Sequence, residues 1–154
     1  MKSRYITLQS ALDDIIRKCT YCTVGMVDPE NNPYVLPMNF GYADGIVYLH
    51  SAPEGRKVDI LKANNKVCVN FSTDLELRHQ DEEVACSYSM KYRSVLAYGH
   101  VEFIDDLEEK SRVLDIIMQQ YTDRTGFKYN GPAVKNVLIY RIVIERMEGR
   151  VYGY

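Results

Sequence analysis

The residues best suited to chemistry lie close together, His50-Ser51 followed by Gly55-Arg56-Lys57. Ile46-Val47-Tyr48-Leu49 leads into them as a strand ending at His50, and Pro53 among small residues turns the chain. Val58, Leu61 and Lys62 then recur at helical spacing, so Gly55-Arg56-Lys57 opens a short helix. The start of a helix presents unpaired N–H groups and a partial positive charge, and both favour an anion. Two adjacent cations there make a phosphate pocket without a Walker-type loop. The alternative is a solvated first turn with Glu54 serving the helix end, since basic pairs are common on helix surfaces.

Other reactive residue types carry less. Cys19-Thr20-Tyr21-Cys22 has the spacing of a metal or redox pair. Structural zinc asks for a second pair or two closely spaced histidines, and a redox pair should follow a strand and open a helix. This pair ends a helix and opens a strand, so thiols buried as small hydrophobes account for Cys19, Cys22, Cys68 and Cys86. There is no Gly-x-Ser-x-Gly elbow to present a nucleophile and no Gly-x-Gly-x-x-Gly segment for a separate nucleotide domain. His79 reads as solvated and His100, after Gly99, as structural or interfacial. Asp81-Glu82-Glu83 reads as a wet loop tip, with a lid as the lesser alternative. Among the tyrosines, Tyr88 and Tyr92 are suited to stacking on a flat ligand.

The elements that must position these groups are legible in outline. Leu8, Ala11, Leu12, Ile15 and Ile16 mark an amphipathic helix, with Thr7 as its cap and Arg17 and Lys18 at its end. Strands follow at 21–27 and 34–40 across the turn cluster Asp28 to Pro33; Pro37 removes a ladder donor and places the second strand at an edge. Ala43-Asp44-Gly45 turns into the strand ending at His50. A fourth strand covers 66–71, and 72–86 reads as a long acidic connection. A long strand covers 88–104, bent or bulged at Gly99. A helix follows at 107–121, then a last strand at 136–145 and a terminal extension at 150–154. Six strands joined by short turns, with helices at the ends and one midway, predict a mainly β single domain over 1–154, an antiparallel barrel or curled sheet.

At 154 residues the chain can bury a sizeable core. Its net charge of −2 and lack of a basic block argue against nucleic acid as a partner and favour a phosphate-bearing small molecule. No apolar run approaches the ~20 residues that span a bilayer, and no apolar signal core follows the first residues, so a cytoplasmic setting without membrane contact is expected.

Three segments together resemble the flavin-binding split-barrel family of pyridoxamine 5′-phosphate oxidase-like proteins. His50-Ser51 with Gly55-Arg56-Lys57, Leu61 and Asn64 is similar to the family's phosphate motif. Tyr34 to Asn39 occupies the place of the strand lying against the flavin ring. Tyr92-Arg93-Ser94-Val95 with Gly99-His100-Val101-Glu102 is similar to the strand that reaches the partner subunit's flavin. Pro37-Met38-Asn39-Phe40-Gly41-Tyr42, His50 to Lys57 and Met90 to Val95 look most like the nitroimidazole-resistance branch.

The resemblance implies a six-stranded antiparallel FMN-binding split barrel, acting as a homodimer with flavin at the interface. Arg56 and Lys57 would clamp the phosphate with Ser51 and Gly55; Met38, Asn39 and Phe40 would lie along the ring; Tyr92 and Ser94 would come from across the dimer. His50 is the candidate catalytic group, placed to donate a proton to a reduced substrate, or else a hydrogen-bonded strand-end histidine supporting the pocket. The implied activity is FMN-dependent reduction of small flat electrophiles such as nitroimidazoles. FAD in place of FMN, a non-catalytic flavin- or haem-binding module with His50 or His100 as axial ligand, and a deazaflavin-dependent reductase remain open. The chain departs from the true oxidases in lacking tryptophan, in its ending Glu148 to Tyr154, and in carrying Gly55 where they carry Ser, so vitamin B6 oxidation is not expected.

Overall fold

The computed structural model describes residues 3–154. Their elements run β1 (Ser3–Ile6), α1 (Gln9–Lys18), β2 (Cys22–Val27), β3 (Pro33–Met38), β4 (Gly41–Ala43), β5 (Ile46–Ser51), α2 (Arg56–Ala63), β6 (Lys66–Arg78), β7 (Ser89–Ile104), α3 (Leu107–Gln119), α4 (Gly131–Asn136) and β8 (Leu138–Tyr152). One antiparallel sheet holds all the strands in the order β3-β2-β6-β7-β8-β5-β4, with β1 added on β8. The two ends of that order, β3 and β4, are consecutive in the chain and joined by Asn39 and Phe40, yet they do not pair. The barrel is split there. Pro37 lies on the edge strand β3, as its missing N–H requires. Among the described residues no helix is long and apolar enough to cross a membrane.

The interior follows from strand alternation. Val67, Val69 and Phe71 of β6 and Val95, Ala97 and Val101 of β7 point inward, and Leu12, Ile15 and Ile16 of α1 pack with them. Phe40 is fully buried and meets Phe71 edge-on, with ring centroids 5.0 Å apart. A second cluster packs Val113 and Ile117 of α3 against Tyr48, Ile104 and Ile139. Cys19 and Cys22 are buried, with burial pushing their thiols up to about 11 and about 12, as suits small hydrophobes, whereas Cys68 is half-buried and Cys86 exposed, against the expectation of four buried thiols.

Several expectations need correction. Eight strands are present among the described residues rather than six. The fourth strand runs on to Arg78, so the first part of the expected 72–86 connection, out to residue 78, is sheet. Its register slips between Thr73 and Glu76, and Asp74 takes a positive φ of 55°, which breaks the alternation a reader of sequence looks for. What remains of the loop is a tip in which the Asp81 carbonyl accepts from Ser87 Oγ at 2.7 Å and that of Glu82 from Tyr88 Oη at 2.9 Å. The terminal extension is the end of β8, pairing with β1 and β7 out to Tyr152. Thr7 does not cap α1, whose N-terminal boundary residue is Leu8. The bulge at Gly99 is present as a register shift beside Tyr98.

A Cβ on Gly99 would collide with the Val143 carbonyl, backbone that cannot swing aside. Gly99→Ala should therefore cost about 3 kcal/mol. Gly45→Ala, in an open turn at φ 74°, should cost only about 1 kcal/mol. Urea midpoints of the two variants check the contrast.

Candidate functional site

The end of β5 and the start of α2 form one corner. Gly55 precedes the helix at φ 125° and ψ 166°, a conformation that favours glycine, and no atom lies within 4 Å of where its Cβ would be. Val58 and Asp59 donate back to the Gly55 carbonyl, whereas the N–H groups of Arg56 and Lys57 take no backbone partner. Buried Val58, Ile60 and Leu61 fix the helix against the barrel, so these free donors are held in place.

The two cations diverge. Arg56 reaches the β2–β3 turn, where its guanidinium lies 4.7 Å from the centre of the Tyr34 ring and Nη2 is 3.7 Å from Asp28 Oδ2. The Asp28 carboxylate accepts from the N–H groups of Asn32 at 2.8 Å and Glu30 at 3.0 Å, and from the Asn32 side chain. Those bonds, that of the Asn32 N–H foremost, hold it below the usual carboxylate range, so Asp28 faces Arg56 ionised. Lys57 pairs with no carboxylate among the described residues, and its charge is felt at His50. Burial first, and Lys57 second, lower the His50 pKa, which leaves the imidazole neutral. Its Nδ1 is buried with no hydrogen-bond partner, so the reading of a hydrogen-bonded strand-end histidine does not describe this nitrogen. Ser51 is buried and its Oγ donates to the Ala52 carbonyl at 2.8 Å.

The split lies beside this corner. Met38 and Phe40 turn their side chains into the core, while Asn39 is exposed between them. The Phe40 N–H donates to Tyr121 Oη at 3.0 Å, and Tyr140 Oη donates to Met38 Sδ at 3.7 Å. Asp28, Tyr121 and Tyr140 were not singled out from sequence, and Tyr34 only as part of the strand 34–39. Only proximity across the fold marks them, apart from the β-turn position of Asp28.

Tyr92 and Ser94 lie elsewhere. Ser94 pairs with Arg150 and Tyr92 with Tyr152, whereas His50 is level with Ile139 and, beyond it, Ile104. About ten residues of β7 intervene, on the order of 30 Å of strand. One chain does not bring them to the corner. His100 bonds Glu145 at 2.8 Å and lies 3.4 Å from Glu102, an ion-paired surface histidine, and His79 lies tilted against the Tyr88 ring at the loop tip.

A lysine without a carboxylate and two free helix N–H groups, next to a glycine with open space where its Cβ would be and near an orphaned buried nitrogen, fit the phosphate end of a flavin nucleotide. The family model described as pyridoxamine 5′-phosphate oxidase matches residues 9–151. A candidate 5-nitroimidazole antibiotic resistance protein from Bacteroides thetaiotaomicron is 45% identical, over 97% of this chain and 87% of that one, with a TM-score of 0.87. The FAD and heme binding protein from Mycobacterium smegmatis shares the fold at 18% identity, with 97% and 74% coverage and a TM-score of 0.84. The flavocytochrome Anf3 from Azotobacter vinelandii does so at 19%, with 97% and 70% coverage and a TM-score of 0.83. None of the curated proteins compared matches the chain.

Because the His50 pKa is lowered in the fold, the unfolded chain binds the proton more readily, starting near the ordinary value of 6.5. The stability that neutral His50 contributes is thus present above that pH and lost as pH falls through the unfolded and then the folded value. His50→Gln should flatten this acid-side slope, as read by thermal midpoints measured across pH.

Proposed function

As the chain belongs to the pyridoxamine 5′-phosphate oxidase family, we propose that it is an FMN-dependent reductase of small flat electrophiles, nitroimidazoles among them. The observation that carries this is the corner where Arg56 and Lys57 open α2 beside the unpartnered nitrogen of His50. The relative at 45% identity supports the substrate class. A bound flavin supplies the redox chemistry itself.

The protein's part is binding, orientation and a proton. Arg56 offers a planar fork able to hold two phosphate oxygens, Lys57 a point charge, and the free N–H groups of α2 complete an anion cradle. Arg56 is already oriented by Tyr34 and Asp28, so less freedom is lost when an anion binds. Exposed Asn39 and the unpaired edge of β3 offer polar groups to a ring lying in the split. Ser51, with its hydroxyl hydrogen committed to Ala52, serves the phosphate through packing of the turn rather than as a donor. His50, neutral and beside Lys57, holds or passes a proton at Nδ1.

Tyr92 and Ser94 complete the site from a second copy. Two copies related by a twofold axis place the β7 end of each against the corner of the other and yield two equivalent sites. The reductant is a nicotinamide or another soluble donor, and the setting is cytoplasmic. Pyridoxamine phosphate oxidation is not proposed, because the C-terminal residues are committed to β8, where they pair with β1 and β7.

The purified protein should show a flavin spectrum, alone or after FMN is added. Arg56→Ala/Lys57→Ala should weaken FMN binding by about a hundredfold or more, the loss of charge-assisted bonds worth ~3 kcal/mol, while riboflavin binding changes little. A protein that takes up no flavin sinks the proposal, and a Soret band would assign haem instead. Steady-state oxidation of a nicotinamide with a nitroimidazole acceptor then separates a reductase from a binding module.

A further inference from the structure

A small cavity of about 180 Å³ opens on the outer face of the sheet, far along β7 from the phosphate corner. Tyr5, Asn70, Tyr92, Ser94, Glu148 and Arg150 line it. Strand register assembles it: Arg150 lies opposite Ser94 on β7, Ser94 lies opposite Ser72 on β6, and Tyr5 of β1 pairs with Arg150. It is thus built on sheet rather than loop, which holds its groups rigidly.

Its charge is unbalanced. Arg150 Nη2 donates to Tyr5 Oη at 3.0 Å, with the guanidinium 5.1 Å from the centre of that ring. Among the described residues no carboxylate pairs with Arg150. The one carboxylate in the lining, Glu148, is taken by Arg146. Arg146 itself lies 4.0 Å from the centre of the Tyr98 ring. Asn70 and Ser72 bond each other at 3.2–3.3 Å, which leaves the second amide hydrogen of Asn70 without a side-chain acceptor. Among the described residues the Ser94 hydroxyl likewise takes no side-chain partner.

An arginine that meets tyrosine hydroxyls but no carboxylate, a serine, an amide and two tyrosine rings around so small a space suit an oxyanion carried on a flat ring. The volume is too small for a flavin ring system, since sites for molecules of that size run from about 300 Å³ upward. We propose that this cavity is an anion subsite in which Arg150 takes the carboxylate of a small planar aromatic acid, with Tyr5 and Tyr92 beside its ring. Guanidinium and carboxylate meet through two parallel bonds, and tyrosine faces suit a flat ring. That the subsite faces the partner's flavin, and so receives the polar end of a substrate, rests on the dimer proposed above; the capture of the anion needs only one chain.

The test is calorimetric titration of the full chain, with and without added FMN, using para-nitrobenzoate and its neutral match in shape, para-nitrobenzamide. The benzoate should bind about tenfold or more tightly than the amide. Arg150→Gln should erase that difference, and Arg150→Lys should restore part of it. Equal binding of the two ligands, no binding of the benzoate, or a preference that survives in Arg150→Gln each overturns the proposal. Where Arg150→Gln fails to fold, Arg56→Ala/Lys57→Ala keeps the test open: the benzoate preference should survive in it, and its loss there overturns the proposal. A chain that sediments as a monomer or takes up no FMN, yet still prefers the benzoate, defeats the flavin reading and leaves the subsite standing. A flavin-loaded dimer without the preference does the reverse.

Discussion

The structure depends on a sheet whose two ends are joined covalently but do not hydrogen-bond. β3 and β4 are separated by Asn39 and Phe40, so the chain crosses from one free edge of the barrel to the other in a single step. Free edges leave backbone donors and acceptors that must be met by something else. α3 meets part of that need. It packs so close to Gly41 that a Cβ there would come within 2.8 Å of the Ile117 nitrogen, and just past its end Tyr121 takes the Phe40 N–H. A side chain at position 41 would push α3 away and reopen the crossing. The remaining edge groups of β3 and the exposed Asn39 face outward, and a flat polar ligand is the kind of partner that such a gap accommodates.

The same split explains the anchoring of the corner between β5 and α2. β3 follows β2 through a turn organised by Asp28, whose oxygens gather the N–H groups of residues 30 and 32. That carboxylate then faces Arg56 of α2. The Arg56 side chain is 62% exposed, so the pair adds little to stability and its consequence is orientation. The turn, the edge strand and the helix start are thereby coupled: a shift of the β2–β3 hairpin moves Tyr34 and Asp28, and with them the cation. His50 is tied to the corner differently, through burial and the Lys57 charge, which both act against its protonation.

Much of this was legible in the sequence, and the limits have physical causes. The Gly55-Arg56-Lys57 corner could be read because helix spacing and charge are local signals. Pro37 at an edge and the bulge at Gly99 could be read because proline and glycine state backbone constraints directly. The outer half of β6 could not, since the left-handed Asp74 shifts the alternation and charged residues there are satisfied across the strand, Glu76 by Lys91 at 2.9 Å. Glycine and arginine near the C-terminus resemble a loose tail, yet Gly149 is what lets β8 pass beneath Leu12 and Ile6. Tyr121, Tyr140 and Asp28 act through contacts across the fold, many tens of residues distant for the two tyrosines, and a single sequence carries no mark of such pairs. Met38 and Phe40 were identified by position, but their buried side chains mean that backbone and Asn39, rather than the side chains on either side, line the gap.

The length of β7 decides how a complete site can be made. This strand runs sixteen residues from Ser89 to Ile104 with partners along nearly its whole course, so the distance between its two ends is fixed by the sheet itself. No hinge can fold Tyr92 and Ser94 back onto His50. Groups at both ends can therefore serve one ligand only if a second chain supplies one of them, and a twofold arrangement does so twice at no extra cost in design. The outer parts of β6 and β7 suit that arrangement, because Leu75, Leu77 and Met90 are exposed there and Leu77 lies opposite Met90 in the ladder. Apolar side chains held on a paired, projecting ribbon gain by being covered. The same ribbon ends next to Tyr154, whose hydroxyl bonds the Asp74 carbonyl at 2.6 Å and whose ring lies 3.9 Å from the Arg93 guanidinium. The C-terminus thus braces the bulge from which the ribbon departs, and so sets the direction in which the ribbon projects.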